Sequence, residues 1–262
     1  MKDASKNLSK LVLELGGANP TIVDKDCNMV ISAKRLISTK FTNNGQTCIS
    51  MNHMYVHEDI YDKFLVELKN QLTIMFGEDA ENNEDYSRVI NEWHTKRILK
   101  LLEGQQHNIY CQNGKINIEK KFIPPTILVN VDKDHPLIKD EIFGPLLPVL
   151  KFTKIEDVIE EINNGHKSLN INYYGDTKSL NYSMLKENTS SGALLANDHL
   201  WNYMSLSTGF GGVGNSGFGK IRGFVGFQEL SNTKVIVGKQ LQYCLYIIYL
   251  LFTKNMYKTY LN

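Results

Sequence analysis

Short apolar runs bounded by glycine, proline and polar residues recur along the chain. Such runs are typical of strands that are covered on both faces, because a buried strand needs no polar alternation. We therefore predict strands at residues 11–13, 21–23, 54–56, 146–150 and 192–196, together with an extended segment over Phe122–Val129.

Amphipathic helices are predicted between these strands, where apolar residues recur at three- and four-residue spacings. Asp59 is the expected N-cap of the second helix, and Thr153 with Glu156 predicts a capping box at the start of the fourth. Gly77 and Gly165 mark helix ends. The apolar stripes are Val30, Ala33, Ile37 and Phe41; Ile60, Phe64, Leu68 and Leu72; Ile90, Trp93, Arg97 and Leu101; Ile155, Val158, Ile159 and Ile162; and Leu180, Met184 and Leu185.

The alternation of strands and helices predicts an α/β fold with a largely parallel sheet and flanking helices. In such folds the functional groups gather at the carboxyl ends of the strands. Glu14 directly follows the first predicted strand and precedes the Gly16–Gly17 pair. We therefore expect Glu14 at the functional edge of the sheet.

The composition indicates one hydrophobic core and no broad electrostatic field. The 262 residues are 42% hydrophobic and carry a net charge of +1, and lysine supplies nearly all of the positive charge. Proteins that read nucleic acid favour arginine for bidentate contacts. We therefore expect no nucleic-acid partner.

The cysteines are scattered, at Cys27, Cys48, Cys111 and Cys244, and form no Cys-x-x-Cys pair. This spacing argues against a disulfide framework or a zinc site and favours a reducing compartment. The histidines also lack metal-ligand spacing, so no metal site is expected. Because the first residues contain no apolar stretch typical of a signal peptide, we expect a cytoplasmic protein.

Residues 243–252 form a continuous apolar run near the end of the sequence. The run is about ten residues long, half of the roughly 20 that cross a bilayer, so a packed tail is the favoured interpretation. Its tyrosines, with Lys254 and Lys258 beyond them, also suit peripheral contact with a membrane, which would be the cytosolic face of an internal membrane. We treat residues 238–262 as a tail separate from the domain at 1–237.

The segment Gly209–Gly214 matches the pattern G-x-G-x-x-G. This pattern indicates dinucleotide binding only where it follows a strand and opens a helix. The residues that follow, Asn215–Gly219, cannot begin a helix. We therefore predict a loop in which two backbone segments approach closely.

Cys48 directly follows the polar loop Asn43–Thr47 and is a candidate nucleophile. A lone cysteine is more often a small buried apolar residue, and only a small fraction of a free thiol is ionised at neutral pH. Glu14 is the second candidate. A neighbouring carboxylate raises the pKa of a thiol, so Glu14 is better suited to activating water for the hydrolysis of an acyl-enzyme.

Four motifs in order resemble the aldehyde dehydrogenase superfamily, and most closely its class 3 and fatty aldehyde dehydrogenase branch. The resemblance covers about residues 1–237 and concerns the catalytic domain of that family. The motifs are Leu13–Gly17, Gly45–Cys48, Glu141–Pro145 and Phe210–Gly217.

The resemblance implies oxidation of an aliphatic, medium- or long-chain aldehyde to the acid with NAD or NADP. Cys48 matches the nucleophile that forms a thiohemiacetal and then a thioester, and Glu14 matches the base that hydrolyses the thioester. Glu141 matches the carboxylate that holds the nicotinamide ribose, and Phe143 the aromatic residue beside the cofactor. Phe210 matches a residue near the cysteine. A homodimer is expected for the intact family protein.

The sequence also departs from the family pattern. It resembles the family only beyond the cofactor-binding half, so the glycine turn for the cofactor and the oxyanion-hole asparagine have no counterpart. Ala18 and Gly209 stand where the family has lysine and proline. Asn170 and Asn172 replace more apolar strand residues, and each buried amide would cost about 1–3 kcal/mol if unpaired.

Two alternatives follow from these departures. The first is a non-catalytic relative that acts as a structural or interaction partner; measurable binding of the cofactor would argue against it. The second is a hydrolase that uses Cys48 and Glu14 without NAD; ester cleavage that persists in Cys48→Ser would argue against it.

Overall fold

The computed structural model describes residues 1–238, of which Met1–Leu230 form one compact unit. The predicted apolar tail at residues 243–252 lies outside the described residues, and the boundary after residue 237 stays a prediction. The strands are β1 (Leu13–Glu14), β2 (Pro20–Val23), β3 (His53–His57), β4 (Ile109–Gln112), β5 (Thr126–Val129), β6 (Leu146–Phe152), β7 (Asn170–Tyr174), β8 (Ala193–Ala196) and β9 (Gly217–Phe218).

Helices follow most of the strands of the main sheet. They are α1 (Lys2–Ser5), α2 (Met29–Phe41), α3 (Tyr61–Phe76), α4 (Glu92–Leu101), α5 (Pro136–Lys139), α6 (Ile155–Asn164), α7 (Leu180–Asn188), α8 (Trp201–Met204) and α9 (Gly223–Leu230).

The main sheet contains seven strands in the order β4-β5-β6-β3-β2-β7-β8 within the described residues. All neighbours are parallel except the edge pair β4 and β5. The predicted α/β fold with a largely parallel sheet and flanking helices is therefore confirmed.

Both faces of this sheet are buried, which explains why its strands show no polar alternation. On one face, residues such as Ile37 of α2 and Leu68 of α3 pack against Met54 of β3. On the other face, Ile98 of α4 and Ile159 of α6 belong to the second core cluster.

The first predicted strand differs from the structure. β1 is only Leu13–Glu14, and it pairs antiparallel with β9 outside the main sheet. Its residues are half-buried, because a two-stranded sheet has no layer on each side. The prediction that Glu14 ends a buried strand of the parallel sheet is therefore wrong.

Two predicted helix caps are also wrong. Helix α3 starts after Ile60 without a side-chain cap, and Asp59 instead contacts Lys25 and His57. Helix α6 starts after Lys154, so the capping box predicted from the spacing of Thr153 and Glu156 does not form. The predicted helix ends at Gly77 and Gly165 are confirmed.

Helix α4 begins two residues later than its apolar stripe suggests. Asn91 caps it by accepting a hydrogen bond from the His94 N–H (2.9 Å), and Ile90 lies outside the helix. The Ile90 N–H donates to Gln46 Oε1 at 2.9 Å, so this backbone group bonds to a side chain outside the helix. Trp93 belongs to the helix but is exposed.

The extended segment Phe122–Val129 becomes a strand only at Thr126–Val129, because the two prolines before it have no N–H for a ladder. Strand β4 had no clear apolar signature and was not predicted from the sequence. It is the edge strand next to β5, and only Cys111 of its four residues is buried.

Replacing Leu68 by alanine tests the packing of α3 against the sheet. Leu68 is fully buried, so the change leaves a cavity and should lower the free energy of unfolding by about 2–5 kcal/mol. Ile74 lies on the same helix but is 73% exposed, and Ile74→Ala should change it by less than about 0.5 kcal/mol. Urea denaturation measures both. Equal losses for the two variants would contradict the assigned helix face.

Candidate active site

The predicted site residues meet at the amino ends of the parallel strands. Glu14–Gly17 precedes β2, the loop with Cys48 precedes β3, and Glu141–Pro145 precedes β6. A loop that precedes a parallel strand lies at the amino end of that strand. The expectation that functional groups gather at the carboxyl ends is therefore wrong for this chain.

The loop before Cys48 has an unusual backbone. Asn43, Asn44 and Gly45 adopt left-handed conformations in succession, with φ of 52°, 59° and 69°. Asparagine and glycine are the residues that reach this region at the least cost. A side chain at Gly45 would also lie 2.4 Å from the Gly144 carbonyl oxygen. Glycine therefore allows this loop to pack directly on the Glu141–Pro145 segment.

The side chain of Gln46 holds the loop in place. Its Nε2 donates to the carbonyls of Asn43 and Arg88, each at 3.0 Å, and its Oε1 accepts from the Ile90 N–H. A neutral amide with both ends occupied fixes the loop against the segment that leads into α4.

Cys48 sits at the corner of a turn over Thr47–Ser50, closed by a hydrogen bond from the Ser50 N–H to the Thr47 carbonyl (2.8 Å). The buried side chain of Asn19 supports this turn. Its Nδ2 donates to the carbonyls of Cys48 (2.8 Å) and Ser50 (2.9 Å). The amide thus holds the carbonyl groups of the two residues on either side of Ile49.

The Cys48 thiol is half-buried, and its pKa is raised to about 11, chiefly by burial. The negative charge of Glu14 and a hydrogen bond with its carboxylate contribute to this rise, as we expected for a neighbouring carboxylate. The backbone N–H groups of Ile49 and Cys48 act in the opposite direction and lower the pKa. At neutral pH the resting thiol is therefore protonated, with a carboxylate beside it that can accept the proton.

Glu14 reaches Cys48 from β1. In that strand it lies opposite Gly217 of β9, at the start of the close pairing between the two segments. Its Oε1 is buried and has no hydrogen-bond partner among the described residues. A buried carboxylate oxygen without a partner is costly unless it is used in function, and the same carboxylate acts on the Cys48 thiol.

Glu141 lies on the same side of the site. The Gly17 N–H donates to its carboxylate and lowers its pKa, but burial outweighs this and the net shift is upward. A side chain at Gly16 would lie 2.0 Å from Glu141 Oε1. The glycine pair therefore lets this carboxylate rest on the backbone that leads from Glu14.

Phe143 has a strained backbone with φ of 45°, an uncommon value for a bulky residue. Arg97 stabilises this conformation, since its guanidinium donates to the Ile142 carbonyl at 2.7 Å. The ring is 38% exposed rather than packed in the core. Its exposure and strained backbone leave an aromatic face available next to Glu141.

Phe210 is buried in a small apolar cluster with Ile49 and Leu169, and Cys48 packs against this cluster. The glycine loop that follows Phe210 brings backbones close together, because a side chain at Gly212 would lie 2.0 Å from the Ser216 carbonyl oxygen. No α-helix begins there within the described residues, only the 3₁₀ turn Gly214–Ser216. The structure therefore confirms the predicted loop, in which two backbone segments approach closely.

Three residues of the site have no sequence signal and were missed. Besides Asn19, these are Lys40, whose Nζ donates to the Met51 carbonyl (2.8 Å), and Asn52. Asn52 donates to the carbonyls of residues 137 and 140 and accepts from the Ile142 N–H. All three are polar residues that are buried near strand or helix ends. The one clue in the sequence is a polar residue beside a predicted strand or helix.

Lys40 is 1% exposed, and burial lowers its pKa to about 7, an effect that the Glu141 charge partly offsets. A lysine that reaches its neutral form near physiological pH adds little fixed positive charge to the site. The Asn170 amide is satisfied, since its side chain pairs with Asn202. The Asn172 Oδ1 has no partner among the described residues.

A cavity of about 450 Å³ opens beside Glu141 and the glycine pair. Ribose hydroxyls donate hydrogen bonds, and Glu141 presents a carboxylate that accepts them. The glycine pair leaves room for a ring to approach the backbone. These residues therefore fit the ribose end of a nicotinamide dinucleotide.

The described residues include no group of three or more His, Cys, Asp or Glu that could hold a metal ion. Cys27, Cys48 and Cys111 are free thiols. Across residues 1–238, no helix has both the length and the apolar character to cross a bilayer.

Comparisons with known proteins relate the chain to one family. A model described as "Aldehyde dehydrogenase family" matches residues 1–236. "Aldehyde dehydrogenase, dimeric NADP-preferring" of Canis lupus familiaris is 37% identical over 237 residues, covering 89% of this chain and 51% of the relative. "Aldehyde dehydrogenase family 3 member A2" of Pongo abelii is 35% identical, covering 92% and 49%. The chain thus spans about half the length of the curated relatives it matches.

Solved structures agree with the sequence comparisons. The chain is similar to the substrate-bound state of Staphylococcus aureus AldH, with a TM-score of 0.83 and 31% identity over 90% of this chain and 53% of that chain. It is also similar to an NADP-dependent enzyme of E. coli, with a TM-score of 0.79 and 26% identity over 88% and 48% of the two chains. The chain therefore shares the catalytic-domain fold of these aldehyde dehydrogenase structures.

The effect of Glu14 on the thiol can be measured by alkylation. Because the pKa of Cys48 is raised, its rate with iodoacetamide should still rise with pH above pH 9, as thiolate forms. Glu14→Gln removes a cause of the raised pKa and should make alkylation at pH 8 about threefold to tenfold faster, since each pKa unit changes the thiolate fraction about tenfold. Peptide mass spectrometry of the Cys48 peptide measures the rate.

Glu141→Gln is the matched control, because Glu141 is not among the groups that shift the Cys48 pKa. It should leave the rate unchanged. Equal rates in the wild type and Glu14→Gln would show that the carboxylate does not act on this thiol.

Proposed function

The chain belongs to the aldehyde dehydrogenase family, and on this premise we propose that it oxidises an aliphatic aldehyde to the carboxylic acid with NAD or NADP. The observation that carries the proposal is the convergence of Cys48, Glu14 and Glu141, which are distant in sequence but interact electrostatically in one site. The proposed reaction needs a nucleophile, a base and a group that accepts hydrogen bonds from the ribose of the cofactor. This chain, which matches about half the length of its relatives, offers one candidate for each.

Cys48 is proposed to attack the carbonyl carbon of the aldehyde. Glu14 takes the thiol proton, a sulfur–carbon bond forms, and the carbonyl oxygen becomes the oxyanion of a thiohemiacetal. The Cys48 and Ile49 N–H groups, which lower the pKa of the thiol, are proposed to stabilise developing negative charge. Their direction is set by the turn that Asn19 supports.

A bound nicotinamide cofactor would supply the hydride acceptor for the carbon attached to sulfur. Glu141 would hold the hydroxyls of the nicotinamide ribose through its carboxylate. Phe143 lies next to it with an exposed ring that can flank the cofactor. Both residues would hold and orient the cofactor, and neither exchanges a proton in the proposed reaction.

Glu14 is proposed to act a second time, on water. After hydride transfer the carbon is an acyl group in a thioester with Cys48. Glu14 removes a proton from water, the resulting hydroxide attacks the acyl carbon, and the thiolate leaves. The half-buried position of Glu14, with Oε1 free of partners among the described residues, supports this second role.

A medium- or long-chain substrate is supported by apolar surroundings at the thiol. Ile49, Leu169 and Phe210 form the cluster against which Cys48 packs. A related protein of Staphylococcus aureus, 32% identical over 236 residues, is named for 4,4'-diaponeurosporen-aldehyde. We propose that an aliphatic chain lies along this cluster.

We also propose a homodimer in the cytoplasm. The Canis lupus familiaris relative is described as dimeric, and β8 is an edge strand of the main sheet with one side unpaired by the described residues. The free thiols at Cys27, Cys48 and Cys111 support a reducing compartment. Contact of the tail with a membrane stays a prediction.

The reaction predicts aldehyde-dependent reduction of NAD or NADP by the purified chain, followed by absorbance of the reduced nicotinamide with a series of linear aldehydes. Cys48→Ser should reduce the rate by at least about a thousandfold, because a hydroxyl is a far weaker nucleophile than a thiolate. Cys27→Ser is the matched control, since that thiol is also half-buried with a raised pKa. It should retain the wild-type rate.

The same samples distinguish the alternatives. A folded chain that neither binds nor reduces either cofactor would support the non-catalytic relative and would contradict the proposal. Cofactor-independent cleavage of an ester that is lost in Cys48→Ser would instead support the hydrolase.

A further inference from the structure

Phe210 is the largest side chain of the small apolar cluster beside Cys48, but the backbone around it has little stiffness of its own. The ring is buried and shares the cluster with Ile49 and Leu169, against which Cys48 packs. In the segment Gly209–Gly212, every residue except Phe210 is glycine. Because glycine restricts the backbone less than any other residue, the position of this ring depends on contacts from elsewhere in the chain.

One such contact is a single antiparallel bridge between Phe210 and Ile221. The Phe210 N–H donates to the Ile221 carbonyl at 2.9 Å, and the Ile221 N–H donates to the Phe210 carbonyl at 2.8 Å. Both bonds belong to one residue pair, so neither segment is held against rotation about the bridge. A second attachment is needed to fix the direction of the ring.

Lys220, which directly precedes Ile221, provides the second attachment. Its Nζ donates to the Gly211 carbonyl at 2.5 Å and to the Gly192 carbonyl at 3.2 Å. The side chain is half-buried, and burial lowers the pKa of Lys220. Hydrogen bonds from a charged donor are about twice as strong as neutral ones, and Gly211 is the residue next to Phe210. The ammonium group therefore holds the backbone one residue beyond the bridge.

The Gly192 carbonyl extends this attachment to Leu169. A side chain at Gly192 would lie 2.4 Å from the Gly211 carbonyl oxygen and 2.6 Å from the Leu169 carbonyl oxygen, so three backbone segments meet here. The next residue, Ala193, donates its N–H to the Leu169 carbonyl at 2.9 Å. One ammonium group that binds two neighbouring carbonyls also offsets the repulsion between their dipoles. The same group thus joins the glycine loop to the backbone that pairs with Leu169.

We propose that Lys220 is a positioning residue for the aliphatic part of the substrate: by tying the glycine loop to the start of β8, it keeps Phe210 and Leu169 in place as the surface along which an alkyl chain lies next to Cys48. This inference rests on the proposed function, which places the chain along this cluster. Lys220 lies outside the four motifs that identify the family, and its hydrogen bonds go to backbone carbonyls rather than to the reacting groups.

The test labels Cys48 in the full chain with N-ethylmaleimide and with N-octylmaleimide, and mass spectrometry of the Cys48 peptide gives the two rates. Both reagents react with the same thiolate. The ratio of the octyl rate to the ethyl rate therefore does not depend on the pKa of Cys48 and reports how well an alkyl chain binds beside it. In the wild type the octyl reagent should react at least about fivefold faster, because its longer chain buries more apolar area.

Lys220→Met keeps the length of the side chain but removes the ammonium group, and it should lower this ratio about fivefold because both hydrogen bonds are lost. Lys220→Arg keeps a charged donor and should stay within about twofold of the wild type. Lys220→Gln decides the question if Lys220→Met does not fold. Its shorter, neutral side chain cannot replace the charged bonds, and it should lower the ratio about threefold.

Lys167→Met is the matched control. Lys167 also lies beside the glycine loop, since a side chain at Gly214 would lie 3.5 Å from its Cδ, but it is exposed. The change removes the same atoms and the same charge and should leave the ratio unchanged. Cys27, read in the same digest, packs against a different core cluster, so its own ratio reports general loosening and should not change.

Three results would overturn the inference: an octyl rate no higher than the ethyl rate in the wild type, an unchanged ratio in folded Lys220→Met or Lys220→Gln, or an equal fall in Lys220→Arg, in Lys167→Met or at Cys27. The measurement needs neither aldehyde nor cofactor. A chain without dehydrogenase activity but with the selective fall would contradict the proposed reaction alone, and an active chain without the fall would contradict the positioning role alone.

Discussion

One buried amide, the side chain of Asn19, joins parts of the site that the chain supplies separately. Its nitrogen binds the carbonyls of Cys48 and Ser50, and its oxygen accepts from the Asn170 N–H at 2.9 Å. Each of these buried groups would cost about 1–3 kcal/mol without its partner. The position of the nucleophile relative to β2 and β7 therefore depends on a residue that takes no part in the chemistry.

Burial opposes charge on the cysteine and the lysine of the site. Burial raises the pKa of the Cys48 thiol and lowers that of Lys40, and both changes favour neutral forms. Desolvation is the first cause in each case, and the specific neighbours come second. The carboxylates of Glu14 and Glu141 are the exceptions, and Glu14 acts on the thiol whose proton is proposed to leave.

The sequence predicted the α/β class and the buried faces of α2, α3 and α6, because both follow from apolar periodicity that burial enforces. The faces predicted for α4 and α7 were partly wrong, since Trp93 and Leu180 are exposed. The sequence identified Glu14, Cys48, Glu141 and Phe143 as candidates through motifs that resemble a family. It did not predict the edge of the sheet where they meet, since the rule for carboxyl ends was applied to β1, which is outside the parallel sheet. Asn19, Lys40 and Asn52 were missed because their hydrogen bonds to carbonyls join separate segments and leave no periodic pattern.

The hydrogen bond between Asn19 and Asn170 has a consequence for the order of folding. The two residues are 151 positions apart, and parallel strands with distant partners pair slowly because loop closure has to come first. During synthesis, which proceeds from the amino terminus, the turn around Cys48 is made long before the strand that anchors Asn19. The reactive geometry is thus a late product of folding, and a nascent or partly folded chain carries the cysteine without the site.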